Sequence, residues 1–137
     1  MTPKKWMVLT LLTVGFCVVA AGDASAGDPY VDATITSATL LDSGGVRIEG
    51  TLTCSFAAAF TEIDLRLRQH GGGRGGRVGD GYDLVNSCGA TPTPFTLVVS
   101  GGPYHPGWGS VEAFLNACDG VSTCAFRSFV APTRISR

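Results

Sequence analysis

The chain has 137 residues, with eleven acidic and ten basic side chains and a formal net charge of −1. So even a balance excludes a generally basic nucleic-acid binder, and no apolar run reaches the roughly 20 residues that a transmembrane helix needs. Nineteen glycines, seven prolines and five cysteines point to a turn-rich domain braced by disulfides.

Lys4 and Lys5 precede an apolar run from Trp6 to Gly22, and Ala24, Ser25 and Ala26 form an A-x-A site. This is the pattern of a secretory signal peptide, residues 1–26, cleaved after Ala26. It predicts a secreted, extracellular domain of residues 27–137 with no membrane span after cleavage. Cys17 follows the bulky Phe16, so lipidation is not expected there. The leader removes both lysines of the chain and one acid, Asp23, which leaves eight arginines against ten acids and a net charge of −2. A single domain of this size buries around two thirds of its unfolded surface and gains from covalent bracing.

The remaining sequence alternates in short segments bounded by Gly, Pro, Asn and Asp, which predicts strands and turns. Val31, Ala33 and Ile35, followed by Ala38 and Leu40, suggest a first strand that switches its inward face at a bulge. Asp42 to Gly45 turns the chain. Val46, Ile48, Leu52 and Cys54 then share one face, provided that Gly50 takes the intervening inward place. Ile63, Leu65 and Leu67 alternate with Glu62, Asp64, Arg66 and Arg68 in a third strand, Glu62 to Gln69, whose outer face is strongly charged. The run 71–77, rich in glycine, reads as a mobile loop.

Val78 to Val85 is a weak strand, and residues 86–94 are a turn-rich crossover. Phe95, Leu97 and Val99 mark the next strand. A corner at residues 101–107 leads into Val111, Ala113, Leu115 and Ala117. The last strand, Cys124 to Val130, places Cys124, Phe126, Ser128 and Val130 on one face and Ala125, Arg127 and Phe129 on the other. Seven short strands at this spacing predict an all-β, immunoglobulin-like Greek-key β-sandwich; a small closed barrel is the alternative.

Cys54, Cys88, Cys118 and Cys124 allow three connectivities. Only a short loop separates Cys118 from Cys124, and a hairpin there brings its strand ends to disulfide distance. Cys54 is then left to pair with Cys88.

The order of these features resembles a family of small secreted actinobacterial immunoglobulin-like domains of uncharacterised function. The likeness rests on Gly50-Thr51-Leu52-Thr53-Cys54, Leu67-Arg68-Gln69, the glycine-rich hairpin, Ser87-Cys88-Gly89, and Pro106-Gly107 leading into Val111-Glu112-Ala113. It implies the sandwich fold and no activity; the second cysteine pair and the hairpin arginines depart from the family's pattern. The chain also resembles neocarzinostatin-type apoproteins, exported sandwiches of this size with two disulfides. That likeness implies a cleft between the sheets for an apolar ligand, with Phe114, Phe126 and Phe129 lining it; the plainer reading makes them core or sheet-surface residues.

Catalytic material is scarce. His70 and His105 are the two near-neutral acid/base groups, there is no G-x-S-x-G elbow and no H-E-x-x-H helix, and paired cysteines leave no thiol nucleophile. No catalytic residue, cofactor or metal is expected, although Asp80 and Asp83 are the acids that a folded-over loop could bring to His70. Gly71, Gly73 and Gly76 satisfy G-x-G-x-x-G, but no helix follows to meet a phosphate.

The segment instead gathers Arg66, Arg68, His70, Arg74 and Arg77 within twelve positions. This cationic group is a candidate site for an anionic cell-envelope polymer or an acidic protein face, set against a solvated loop whose arginines keep it soluble. Tyr104 and Trp108, at the Pro106-Gly107 corner, are candidates for stacking on a sugar ring or anchoring a protein. The expectation is a monomeric, non-enzymatic binding module, or an inhibitor or effector presenting the disulfide-held loop Asp119 to Thr123.

Overall fold

The computed structural model describes residues 27–70 and 76–137. The leader with Cys17, and the loop residues 71–75 with Arg74, lie outside the described residues. Seven strands follow in order: β1 (Val31–Leu40), β2 (Val46–Cys54), β3 (Phe60–Gln69), β4 (Arg77–Val85), β5 (Thr93–Val99), β6 (Gly107–Cys118) and β7 (Cys124–Ser136). No helix among the described residues is long and apolar enough to cross a membrane.

The strands are ordered β4-β3-β6-β7-β1-β2-β5. All pairs are antiparallel except β1 with β7, which meet in parallel only at Ala38↔Ile135 and Thr39↔Ser136. That short junction divides the array into a four-stranded half, β4-β3-β6-β7, and a three-stranded half, β1-β2-β5. The chain crosses between them after β2, β4 and β5, giving the Greek-key path of an immunoglobulin-like sandwich.

Both halves turn their apolar alternates inward. Ile48, Leu52, Phe95 and Leu97 from one half join Ile63, Leu65, Val111 and Leu115 from the other in a single core. The register of β1 against β2 shifts between Ile35 and Ser37, which is the expected bulge. Gly50 does face inward: a Cβ there would lie 2.6 Å from the Phe95 ring, so the aromatic occupies the space that the glycine leaves.

Several strands are longer than the sequence suggests. β3 starts at Phe60 because Phe60 and Thr61 pair with Cys118 and Ala117. β6 starts at Gly107 and β7 continues to Ser136 because Gly107–Ser110 pair with Ile135–Pro132. β4 is a full strand with inverted content: Gly79 and Gly81 point inward and are buried, while Val78, Tyr82 and Leu84 point out. The cause is the close approach of β5. A Cβ on Gly79 would overlap the Ser100 carbonyl, and Ser100 N–H already donates to Asp80 O at 3.4 Å. Glycine lets the two half-sheets meet along this side.

The disulfides are Cys54–Cys88 and Cys118–Cys124, with Cα separations of 5.6 and 4.1 Å. At the β5–β6 corner, Tyr104 is buried and its hydroxyl donates to the Ser100 carbonyl four residues upstream at 3.3 Å, the tyrosine corner of immunoglobulin-like sandwiches. Burial, and then the charge of Asp80, push its phenol above the ordinary tyrosine value. The buried Gln69 amide fixes the same corner from β3: Nε2 donates to His105 O at 2.8 Å, and His105 N donates to Oε1 at 3.0 Å. Among the described residues, the seven strands share one core and are braced by both disulfides.

Candidate functional site

Alternation on β3 sends Glu62, Asp64, Arg66 and Arg68 to the outer face of the four-stranded half, with Ile63, Leu65 and Leu67 beneath them. Register then sets their neighbours. Four rows cross the sheet from β4 to β7: Val78-Arg68-Ser110-Pro132, Asp80-Arg66-Glu112-Val130, Tyr82-Asp64-Phe114-Ser128 and Leu84-Glu62-Asn116-Phe126. Cross-strand neighbours on one face touch, so the charges interact within the sheet before they meet a partner.

Arg66 Nε lies 2.9 Å from Asp80 Oδ1, and this hydrogen-bonded charge raises the guanidinium above its usual value. Arg68 Nη2 lies 4.0 Å from Glu112 Oε2, and Asn116 Nδ2 donates to Glu62 Oε2 at 3.2 Å. Two of the five cationic groups read from the sequence are therefore paired with acids. The face carries Glu62, Asp64, Asp80 and Glu112 against Arg66, Arg68 and, beside Trp108, Arg134, so its balance is acidic by one charge. His70 and Arg77 are exposed at the end of the β3–β4 hairpin, and Arg74 lies outside the described residues. The cationic cluster is thus divided: an acid-balanced strand face, and a small basic end.

The aromatic pair is divided too. Trp108 stands on the outer face of β6, opposite Arg134. Tyr104 is only 4% exposed, and its ring belongs to the core and corner, out of reach of an external ligand. Phe114 and Phe126 lie on the outer face while Phe129 points to the other side of β7, so the three do not line one cleft. Phe129 alone borders the seam between β1 and β7, an opening of about 430 Å³ that Ala33, Ile35 and Ala131 also line. Arg127 Nε sits 3.5 Å from Asp32 Oδ1 across this seam, and the Arg127 guanidinium lies 5.7 Å from the Phe129 ring centre. Among the described residues no His, Cys, Asp and Glu gather as a metal site; Asp80 and Asp83 fall on opposite sides of β4.

The feature that alternation alone did not reveal is where apolar exposure concentrates. Of nine large apolar side chains exposed among the described residues, Val78, Tyr82, Leu84, Trp108, Phe126 and Val130 share the outer face of the four-stranded half. The outer face of the other half presents Arg47, Glu49, Thr51, Thr53 and Thr96, with Val98 its exposed aliphatic. Phe126 is 70% exposed and, with Val130 and the half-buried Phe114, surrounds Ser128.

The β6–β7 connection ends this face. Asp119 N donates to Thr123 O at 2.9 Å, and Asp119 Oδ1 accepts from the N–H groups of Val121, Ser122 and Thr123 at 2.8, 2.9 and 3.0 Å. Those backbone donors, Val121 first, hold the carboxyl below the ordinary aspartate range. With Cys118 and Cys124 bonded at its base, the loop is held from both ends and presents Val121 at 90% exposure.

Comparison with known proteins finds no match: no family model, no curated protein and no solved structure is significantly similar to this chain.

Proposed function

We propose that residues 27–137 form a non-enzymatic binding module acting outside the cytoplasm, at or beyond the cell envelope. Its contact surface is the outer face of β4-β3-β6-β7 together with the loop that ends it. The observation that carries this reading is the concentration of exposed apolar side chains on one of the two outer faces. These side chains form two strips, Val78, Tyr82 and Leu84 on β4 and Trp108, Phe126 and Val130 on β6 and β7, on either side of the charged β3, and clustered exposed apolar side chains mark a partner surface. The two disulfides and the signal-like leader support an oxidising compartment. The acidic balance of the face favours a protein partner; an anionic envelope polymer would be met at His70 and Arg77. The fold is also the one implied by the resemblance to secreted immunoglobulin-like domains.

The test is co-sedimentation of residues 27–137 with isolated cell envelope at low and high salt, beside a Tyr82→Ser, Phe126→Ser variant and an Arg77→Ala variant. Binding that persists at high salt and is lost in the first variant is the expected result. Salt-sensitive binding lost only in Arg77→Ala would move the site to the hairpin end. Equal binding by all three would remove both surfaces.

A second reading, a secreted inhibitor or effector that presents residues 119–123, is favoured by the three-fold backbone capture at Asp119. A preordered loop loses less entropy on docking. In that case Val121→Asp abolishes inhibition of the target while the Tyr82→Ser, Phe126→Ser variant retains it.

A further inference from the structure

We propose that the outer face of β4-β3-β6-β7 is occupied by a second copy of this chain, in a two-fold symmetric, antiparallel face-to-face dimer. This rests on the face being the binding surface, and names what covers it.

The charges along β3 are ordered. Its outward residues read acid, acid, base, base: Glu62, Asp64, Arg66, Arg68. A two-fold axis lying in the contact plane, and crossing the strands at the level of Leu65, reverses that order in the second copy. Arg66 then faces Asp64 of the second copy and Arg68 faces its Glu62. By symmetry the same two pairs form again. A two-fold axis running along the strands between β3 and β6 instead lays β3 over β6; it pairs only Arg66 with Glu112 of the second copy and leaves Asp64 over Phe114, so the charges favour the first orientation, with four such pairs against two.

Much of the rest of the face agrees with the same operation. It exchanges the first row with the fourth, placing Val78 over Leu84, Ser110 over Asn116 and Pro132 over Phe126 of the second copy. It exchanges the second row with the third, bringing the Asp80 carboxylate to the Tyr82 hydroxyl. At these places apolar meets apolar, a hydroxyl meets an amide, and a carboxylate meets a phenol, whereas Glu112 comes over Phe114 and Val130 over Ser128. Asp64, which has no ion-pair partner among the described residues, gains one. Sheets packed face to face cross at about 30°; this displaces the corners more than the central Arg66–Asp64 pairs.

Seven residues along β3 and four strands across give a footprint of roughly 20 Å by 20 Å. That is about 400 Å² per copy, below the standard size of a stable interface and in the range of weak, transient contacts, so the dimer is reversible and forms at micromolar to millimolar concentration. The operation also sends the two Val121 loops to opposite ends, leaving each dimer with two free tips.

Sedimentation velocity of residues 27–137 over a range of concentrations tests the proposal. Two charge-reversed variants accompany the wild type: Glu62→Arg with Asp64→Arg, and Arg66→Glu with Arg68→Glu. All four positions lie on the outer face, and thermal unfolding checks that each variant is folded. The wild type is expected to pass from monomer to dimer, and more salt to shift that transition to higher concentration. Each variant alone should associate at least about tenfold more weakly, and an equimolar mixture should recover association as a heterodimer. Phe126→Lys, which leaves the charge rows intact, should also weaken the wild-type dimer.

A wild type that stays monomeric to about 1 mM overturns the proposal; so does a mixture that fails to associate where the wild type does. If self-association fails while the Tyr82→Ser, Phe126→Ser variant still loses envelope binding, the second copy is ruled out and the binding face stands. Self-association with envelope binding untouched by that variant gives the reverse conclusion.

Discussion

The two disulfides should differ in what they contribute, and the difference follows from the lengths of chain they close. Cys54 and Cys88 are 34 residues apart, Cys118 and Cys124 only 6. The chain-entropy relation gives about 3.7 kcal/mol for the longer closure and about 2.2 kcal/mol for the shorter. Unfolding about 110 residues changes the entropy by about 0.23 kcal/mol/K near the melting temperature. A Cys54→Ala, Cys88→Ala variant should therefore melt about 16 °C lower, and a Cys118→Ala, Cys124→Ala variant about 10 °C lower. Both Cys54 and Cys88 are buried, so truncation there adds a packing loss and widens the gap. Differential scanning calorimetry of both variants at one pH is the assay. Equal losses, or a larger one for the short loop, would refute the reasoning. They would mean that native strain or residual structure in the unfolded chain outweighs loop length.

Thr61 is buried, and its hydroxyl has no hydrogen-bond partner among the described residues, so the near-isosteric Thr61→Val should raise stability by about 1 kcal/mol in urea unfolding. A loss would show that the hydroxyl is satisfied. Gln69→Leu should cost about 2 kcal/mol because it strands the His105 N–H and carbonyl at the β5–β6 corner; an unchanged urea midpoint would contradict the clamp. Asp119 has a depressed carboxyl, so its ordering of the loop is complete above the unfolded-state value and is lost as pH falls through the lower folded value. Amide exchange at Val121, Ser122 and Thr123 should accelerate in that acid range relative to neighbouring strands. Asp119→Ala should abolish this pH dependence.

Where inward and outward positions differ in kind, the sequence announced the fold. β2 was legible to the residue because Val46, Ile48, Leu52 and Cys54 alternate with Arg47, Glu49, Thr51 and Thr53, and Gly50 fitted as the place where Phe95 presses in. The bulge in β1 was legible for the same reason: its apolar phase changes between Ile35 and Ala38. β4 was less so, because hydrophobicity places Val78, Tyr82 and Leu84 inside, whereas Gly79 and Gly81 point in at the approach of β5. Only the three-dimensional position of Ser100 decides between these faces.

The site was legible in parts. Arg66 and Arg68 are cations in sequence, but β3–β4 and β3–β6 register brings Asp80 and Glu112 to them, and register is not written in local composition. Tyr104 and Trp108 look alike as corner aromatics; the hydrogen bond to Ser100 takes one into the core and leaves the other on the surface. The self-complementary order Glu62, Asp64, Arg66, Arg68 was visible throughout, and acquired meaning once its face was found unpaired and apolar at both flanks.

The most direct test of the outer face as the contact surface is hydroxyl-radical footprinting of residues 27–137. Dilute protein, concentrated protein, and protein with isolated cell envelope should be compared. Protection of Tyr82, Trp108 or Phe126 on concentration or envelope addition, with Tyr30 unchanged, is the predicted result. Oxidation of those three side chains that stays constant under every condition would contradict it.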